Sequence, residues 1–147
     1  MWYEDWLLSV PLLFLTTLLH TYAMLIIRES AIAFGRRRDA AGHGRFVLVI
    51  GGSVVCIAVV HGFEAAIWAA VYVQIGALPG AGPAMLYSLS AMTTYGHAAI
   101  YLEPHWQMMG AIEALNGVML FGLTTATLLA IIEALPVRSG RARASRE

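Results

Sequence analysis

Three stretches of this chain stay apolar for longer than a soluble helix requires. They cover residues 6–27, 46–75 and 108–135, and each exceeds the roughly 20 residues that cross a bilayer core. Pro11 falls near the start of the first, where a spanning helix tolerates it, and Pro136 stops the third. At 1.5 Å per residue the second and third reach roughly 42–45 Å, so they tilt or project past the hydrocarbon. Between them, residues 76–107 follow a different pattern. Residues 83–93 are apolar and helix-compatible, with Pro83 suited to a first helical turn. Eleven residues rise roughly 16 Å, about half a bilayer. A half-length helix followed by glycine-bearing backbone reads as a re-entrant loop, which membrane depth tolerates only where protein or water surrounds it. The alternative is an outer loop carrying a surface helix.

Composition fixes the class. Of 147 residues, 59% are hydrophobic and 12% charged, against about 25% charged in soluble domains. This is an integral membrane protein of one small domain. All nine basic residues are arginine. Arg28, Arg36, Arg37, Arg38 and Arg45 crowd the first loop, and Arg138, Arg141, Arg143 and Arg146 crowd the tail. The positive-inside rule puts both clusters in the cytoplasm, a placement that three spans make consistent. The N-terminus is then outside, with Trp2, Tyr3 and Trp6 as interfacial anchors, and the chain is a multi-pass protein of the inner (plasma) membrane. Arginine beside spans is a topology signal, so no nucleic-acid partner is expected. Glu4 and Asp5 stand where a secretory signal would be positive, so no signal peptide is expected. Cys56 is the single cysteine and reads as a small buried hydrophobe.

The stretch Thr93-Thr94-Tyr95-Gly96-His97-Ala98-Ala99 follows the short helix and precedes the last span. In this order it resembles the TTVGYGD-type signature of tetrameric potassium channels of the two-transmembrane pore-module type. The segments "FEAAIWAAVYVQIG", "YSLSAMTTYG" and "HWQMMGAIEALNGVMLFGLTTATLL" resemble the outer, pore and inner helices of small bacterial proteins of that kind. The resemblance covers residues 46–132 and leaves the first span outside. It implies an all-α membrane protein with three transmembrane helices, a re-entrant pore helix and a filter loop, assembled as a homotetramer. The units are an N-terminal helix and arginine-rich loop (1–45), a pore module (46–135) and a basic tail (136–147). Within the pore module the outer helix is 46–75, the pore helix 83–93, the filter 94–98 and the inner helix 108–135. The implied filter residues are Thr93, Thr94, Tyr95, Gly96, His97 and Ala98, acting chiefly through backbone carbonyls that replace an ion's hydration shell.

The upper filter departs from that signature. Ala98 stands where a second glycine is expected and Ala99 replaces the aspartate. Forcing alanine into a left-handed conformation costs about 1–2 kcal/mol per subunit. The expected function is therefore passive conduction of monovalent cations such as potassium or sodium, with weak selectivity. Four His97 imidazoles near the axis would add a titratable ring. No other cofactor and no resident metal is expected, and no nucleophile, phosphate loop or zinc-type spacing points to an enzyme.

Polar residues inside the spans invite further readings. Glu64 and His61 are three apart and share a helix face. Glu64 reads first as a hydrogen-bonding support behind the filter, and Glu113, near the outer end of the last span, as a brace for the loop. His61 and Glu64 read second as half a metal site, completed by His20, His97 or His105. His20 is expected toward the cytoplasmic side, well below His61, so that the two do not meet. Glu103 is the one acidic residue of the outer loop and reads either as one of four carboxylates ringing the mouth or as an ordinary solvated charge. Asn116, Leu120, Thr124, Thr127 and Ile131 recur at helical spacing. They read as a pore-lining face or as polar glue between helices. Gly117 and Gly122 read first as close packing points between helices and second as a gating hinge. Two other functional classes remain open at this stage: a non-conducting structural or regulatory channel homologue, and a membrane protein that binds metal through its His/Glu set.

Overall fold

A computed structural model describes residues 2–36, 43–96 and 99–135. The tail 136–147, Arg37 and Arg38 of the first loop, and the expected filter residues His97 and Ala98 lie outside the described residues. The regular elements of the described chain are all helical: α1 (Trp2–Arg36), α2 (His43–Gln74), α3 (Ala81–Met92) and α4 (Gln107–Ala134), with a 3-10 turn over Pro104–Trp106. The helices α1, α2 and α4 are long and apolar enough to cross a membrane. No strand occurs among the described residues.

Helix ends show how the elements stack. Asp5 near the start of α1 accepts a bond from the Met109 N–H near the start of α4, at 3.2 Å. That carboxylate caps α4, because no side chain of its own performs the task and the first N–H groups of a helix need acceptors. Tyr72, late in α2, bonds Glu113 in the first half of α4. At the opposite end, Ala31, Val49, Ile131 and Leu135 form a separate apolar cluster. There the Arg45 guanidinium donates to the Phe34 carbonyl at 2.8 Å and lies 4.8 Å from the Phe34 ring centroid. The helices α1 and α4 therefore run parallel, with α2 antiparallel to both. The N-terminus and the α2–α4 connection share one end, and Arg28, Arg36 and Arg45 gather toward the other.

The bundle is more polar inside than outside. On α1 the buried stripe is Asp5, Ser9, Leu12, Thr16, His20, Met24 and Ala31, spaced by three or four residues wherever successive members are close. On α2 it includes Ser53, His61, Glu64, Trp68 and Tyr72, and on α4 it includes Glu113, Asn116, Leu120 and Thr124. The outward faces carry Leu7, Phe14, Val55, Val59, Phe63, Leu115 and Val118, and Leu7 is 72% exposed. In water this would be inverted, since acidic side chains are almost never fully buried. In lipid it is the stable arrangement, because apolar surface meets hydrocarbon and polar groups find one another.

Helix α3 is wedged between α2 and α4. Its last residue, Met92, clusters with Ala65 and Leu120. From Ala65 the nine residues to the end of α2 at Gln74 span about 14 Å. From the start of α4 at Gln107, the thirteen residues to Leu120 span about 20 Å. The short helix thus descends along its neighbours toward mid-bundle and does not lie across their ends. It begins two residues before the expected 83 and ends at Met92, where Thr93 becomes the cap.

Gly117 makes this wedge fit. A Cβ there would stand 2.7 Å from the Met92 Cα and closer still to its carbonyl oxygen, and backbone cannot yield as a side chain can. Gly122, one and a half turns on, faces open space. Gly117→Ala is expected to destabilise the fold by about 1–3 kcal/mol, the usual range for overpacking, and Gly122→Ala to leave it unchanged. Thermal unfolding of the two variants in detergent, followed by circular dichroism, checks the difference.

Candidate functional site

Two sets of residues carry the chemistry: the segment after α3, and the polar interior beside it. The chain leaves α3 through a tight reversal. The Thr94 N–H bonds the Ala91 carbonyl at 3.0 Å and the Tyr95 N–H bonds the Ser90 carbonyl at 3.0 Å. These two bonds, with a left-handed residue between cap and exit, make a Schellman motif. The left-handed residue is Thr94, at φ 56°. Glycine is usual there, and a β-branched residue at positive φ is an outlier that marks strain. Gly96 follows, also at positive φ (68°). Thr94 is among the expected filter residues, but the sequence raises left-handed backbone only at the glycine positions of the signature. No sequence signal marks this conformation at Thr94, because its residue type argues against it.

Thr93, Thr94, Tyr95 and Gly96 are all exposed in the single chain, Tyr95 by 81%. The Thr93 hydroxyl donates back to the Leu89 carbonyl at 2.7 Å. Beside the segment lies a cavity of about 430 Å³, lined by Ser90, Thr94, Gly96, Tyr101, Gly110 and Ala114 among others. Glu103 is exposed at the same end of the bundle and precedes the 3-10 turn, its carbonyl accepting from the Trp106 N–H at 2.8 Å.

Behind the segment, Glu113 joins three helices. Its carboxyl accepts from the Tyr72 hydroxyl of α2 at 2.6 Å and contacts the Ser88 hydroxyl of α3. Ser88 also donates to the Ala65 carbonyl at 2.7 Å. One hydroxyl proton serves one acceptor, so a proton on Glu113 completes the set: Glu113 to Ser88, Ser88 to Ala65, Tyr72 to Glu113. Glu113 and Ser88 are fully buried, so each member needs its partner.

Glu64 sits elsewhere than expected. Its carboxylate does not reach the hydroxyls of α3; it meets two imidazoles. His20 Nδ1 lies 2.9 Å from Glu64 Oε1, and His61 Nδ1 lies 3.1 Å from Oε2. The His20 and His61 ring centroids are 5.1 Å apart, which corrects the expectation that the two do not meet. The cause is the length of α1. It continues past residue 27 to Arg36, so His20 lies near the middle of its helix, as His61 does in α2.

The stripe on α4 also turns inward. Asn116, Leu120, Thr124 and Ile131 are buried against the chain's own helices. Asn116 Nδ2 donates to Thr16 Oγ1 at 2.8 Å, and Thr124 Oγ1 lies 3.0 Å from His61 Nε2 and 3.3 Å from His20 Nε2. These positions are polar because they face polar atoms of α1 and α2, which fits the glue reading of the stripe and not a pore-lining face. Thr127 is half-buried at a groove between α1 and α4, its hydroxyl donating to the Leu123 carbonyl. The face of α4 directed away from the bundle carries Val118, Gly122 and Thr125.

Comparison with family models, curated proteins and solved structures finds no match. The site's chemistry therefore rests on its own geometry. Glu113→Gln keeps one donor and one acceptor in place, and is expected to stay within about 1 kcal/mol of the native chain. Glu113→Ala strands the buried Tyr72 hydroxyl and is expected to cost about 1–3 kcal/mol. Melting curves of both variants test this; equal losses would show that an ionised carboxylate is needed.

Proposed function

We propose that four copies of this chain assemble around an axis as a weakly selective cation-conducting pore, with residues 93–98 of each copy supplying a quarter of the filter. The observation that carries the reading is the course of α3. A short helix descends between two long ones to mid-bundle depth, then hands over to a strained, uncovered segment. Backbone of this kind is tolerated at membrane depth only where it lines water or is covered by protein. The chain itself leaves Tyr95 uncovered, and neighbouring copies would supply what surrounds it.

In this arrangement the C-terminal end of α3 directs partial negative charge toward the axis, which favours cations. Exposed Glu103 carboxylates add negative charge at the mouth. The inward-facing stripe of α4 is committed to the chain's own core, so the pore below the filter would be lined by the opposite face, around Val118, Gly122 and Thr125. Selectivity is weak on this reading because Thr94-Tyr95-Gly96-His97-Ala98 lacks the second glycine of a potassium-type filter. The arginine end of the bundle is cytoplasmic and the Asp5–Glu103 end is external, following the positive-inside rule, in the inner (plasma) membrane.

Flux into vesicles reconstituted with purified protein tests the proposal. Potassium and sodium are both expected to enter, at rates within a few-fold of each other, and Gly96→Val is expected to abolish entry while the oligomer persists. Tetramers with no flux above protein-free vesicles would overturn conduction, and strict potassium selectivity would overturn the weakly selective filter.

A further inference from the structure

The His20–His61–Glu64 cluster lies on the chain's own interior and plays no part in the pore reading. Along α2, the eleven residues from His61 to Tyr72 put it about 16 Å from the Tyr72–Glu113 bond. Its contacts form a closed ring. Glu64 faces Nδ1 of both imidazoles at 2.9 and 3.1 Å, and Thr124 Oγ1 faces Nε2 of both at 3.0 and 3.3 Å.

The hydrogens of this ring do not close for two neutral imidazoles beside an ionised Glu64. If both rings carry their proton on Nδ1 toward Glu64, two bare Nε2 atoms face one hydroxyl, which has a single proton to give. If both carry it on Nε2, Thr124 Oγ1 accepts both with its two lone pairs, but two bare Nδ1 atoms face a carboxylate. Three concentrated lone-pair donors then need a cation between them. The geometry carries the same sign of incompleteness. His61 Nδ1 and Glu64 Oε2 are buried without a hydrogen bond, although they stand 3.1 Å apart.

We propose that His20, His61 and Glu64 form a binding site for a divalent first-row ion of the zinc class. Two imidazoles and a carboxylate are a ligand set that suits Zn²⁺. Donor atoms of the three residues all lie within 4.8 Å of one another. Donors about 2.0–2.2 Å from a tetrahedral ion are about 3.3 Å apart, so small rotamer adjustments suffice. Thr124 completes the arrangement from behind. A ligating imidazole donates its other N–H to an acceptor that fixes its tautomer, and here one hydroxyl oxygen serves both rings. The ion joins α1 to α2, with Thr124 of α4 as the outer support. It reaches the site past His61, whose side chain is 11% exposed where those of His20 and Glu64 are closed.

The competing occupant is a proton. One imidazolium beside an ionised Glu64 satisfies all four contacts and leaves the cluster neutral. Metal analysis separates the two. Tag-free, full-length protein in detergent is equilibrated with Zn²⁺ or Co²⁺ and desalted. One ion per chain is expected, with the intense visible bands of four-coordinate cobalt. His20→Asn and His61→Asn are each expected to weaken binding at least tenfold. Thr124→Val is expected to weaken it about tenfold, as loss of an outer hydrogen bond does. His105→Asn is expected to change nothing. Less than about 0.1 ion per chain in the native protein, or undiminished binding in both histidine variants, would overturn the proposal and leave the shared proton. Should the histidine variants fail to fold, X-ray absorption of the zinc-loaded native protein decides. Two imidazoles in the metal shell are expected, and fewer than two would overturn it.

Discussion

The carboxyl of Glu113 is the contact on which the rest of this structure depends. It takes the Tyr72 hydroxyl of α2 and the Ser88 hydroxyl of α3 into the face of α4. Inside a bilayer no water is available to replace either partner, so the three helices have one register in which all are satisfied. With that register set, Met92 falls against Ala65 and Leu120, and Gly117 admits the α3 backbone where any Cβ would collide.

The same rule organises the whole interior. Polar groups occur in layers along the bundle: Asp5 capping α4, Glu113 with Tyr72 and Ser88, Asn116 with Thr16, then the His20–Glu64–His61–Thr124 ring. Every one of these layers except that of Glu113 ties α1 to its neighbours, although the expected two-span pore module leaves that helix out. In lipid, apolar surface contributes little to helix association, and packing with interhelical hydrogen bonds must suffice. The first span is thus built into the bundle by chemistry as specific as that holding α3.

Much of this was legible in the sequence, for particular reasons. The spans and the short helix followed from length, apolar runs and Pro83, and agree with the structure to within a few residues except at the end of α1. The first apolar run ends at residue 27, with Arg28 assigned to the loop, but a helix continues past the hydrocarbon where its backbone bonds remain internal, and α1 does so to Arg36. That one misplaced end hid the meeting of His20 with His61. The stripe through Asn116 and Thr124 was visible as a face, yet periodicity cannot say whether polar atoms face water or one another. Only the positions of Thr16, His20 and His61 decide it. Thr94 was named, but its left-handed backbone could not be foreseen, because the conformation contradicts its residue type.

The depth reached by the end of α3 separates a re-entrant helix from one lying on the surface, and it can be measured directly. Cys56 is the single cysteine and is exposed, not buried as expected, so a Cys56→Ser background allows a spin label at residue 94 or at residue 103 in bilayers. Power saturation with oxygen and a water-soluble relaxant is expected to place the label at 94 at least about 10 Å deeper than the label at 103, given the 14 Å descent along α2. Equal depths, with both labels at the headgroups, would contradict it.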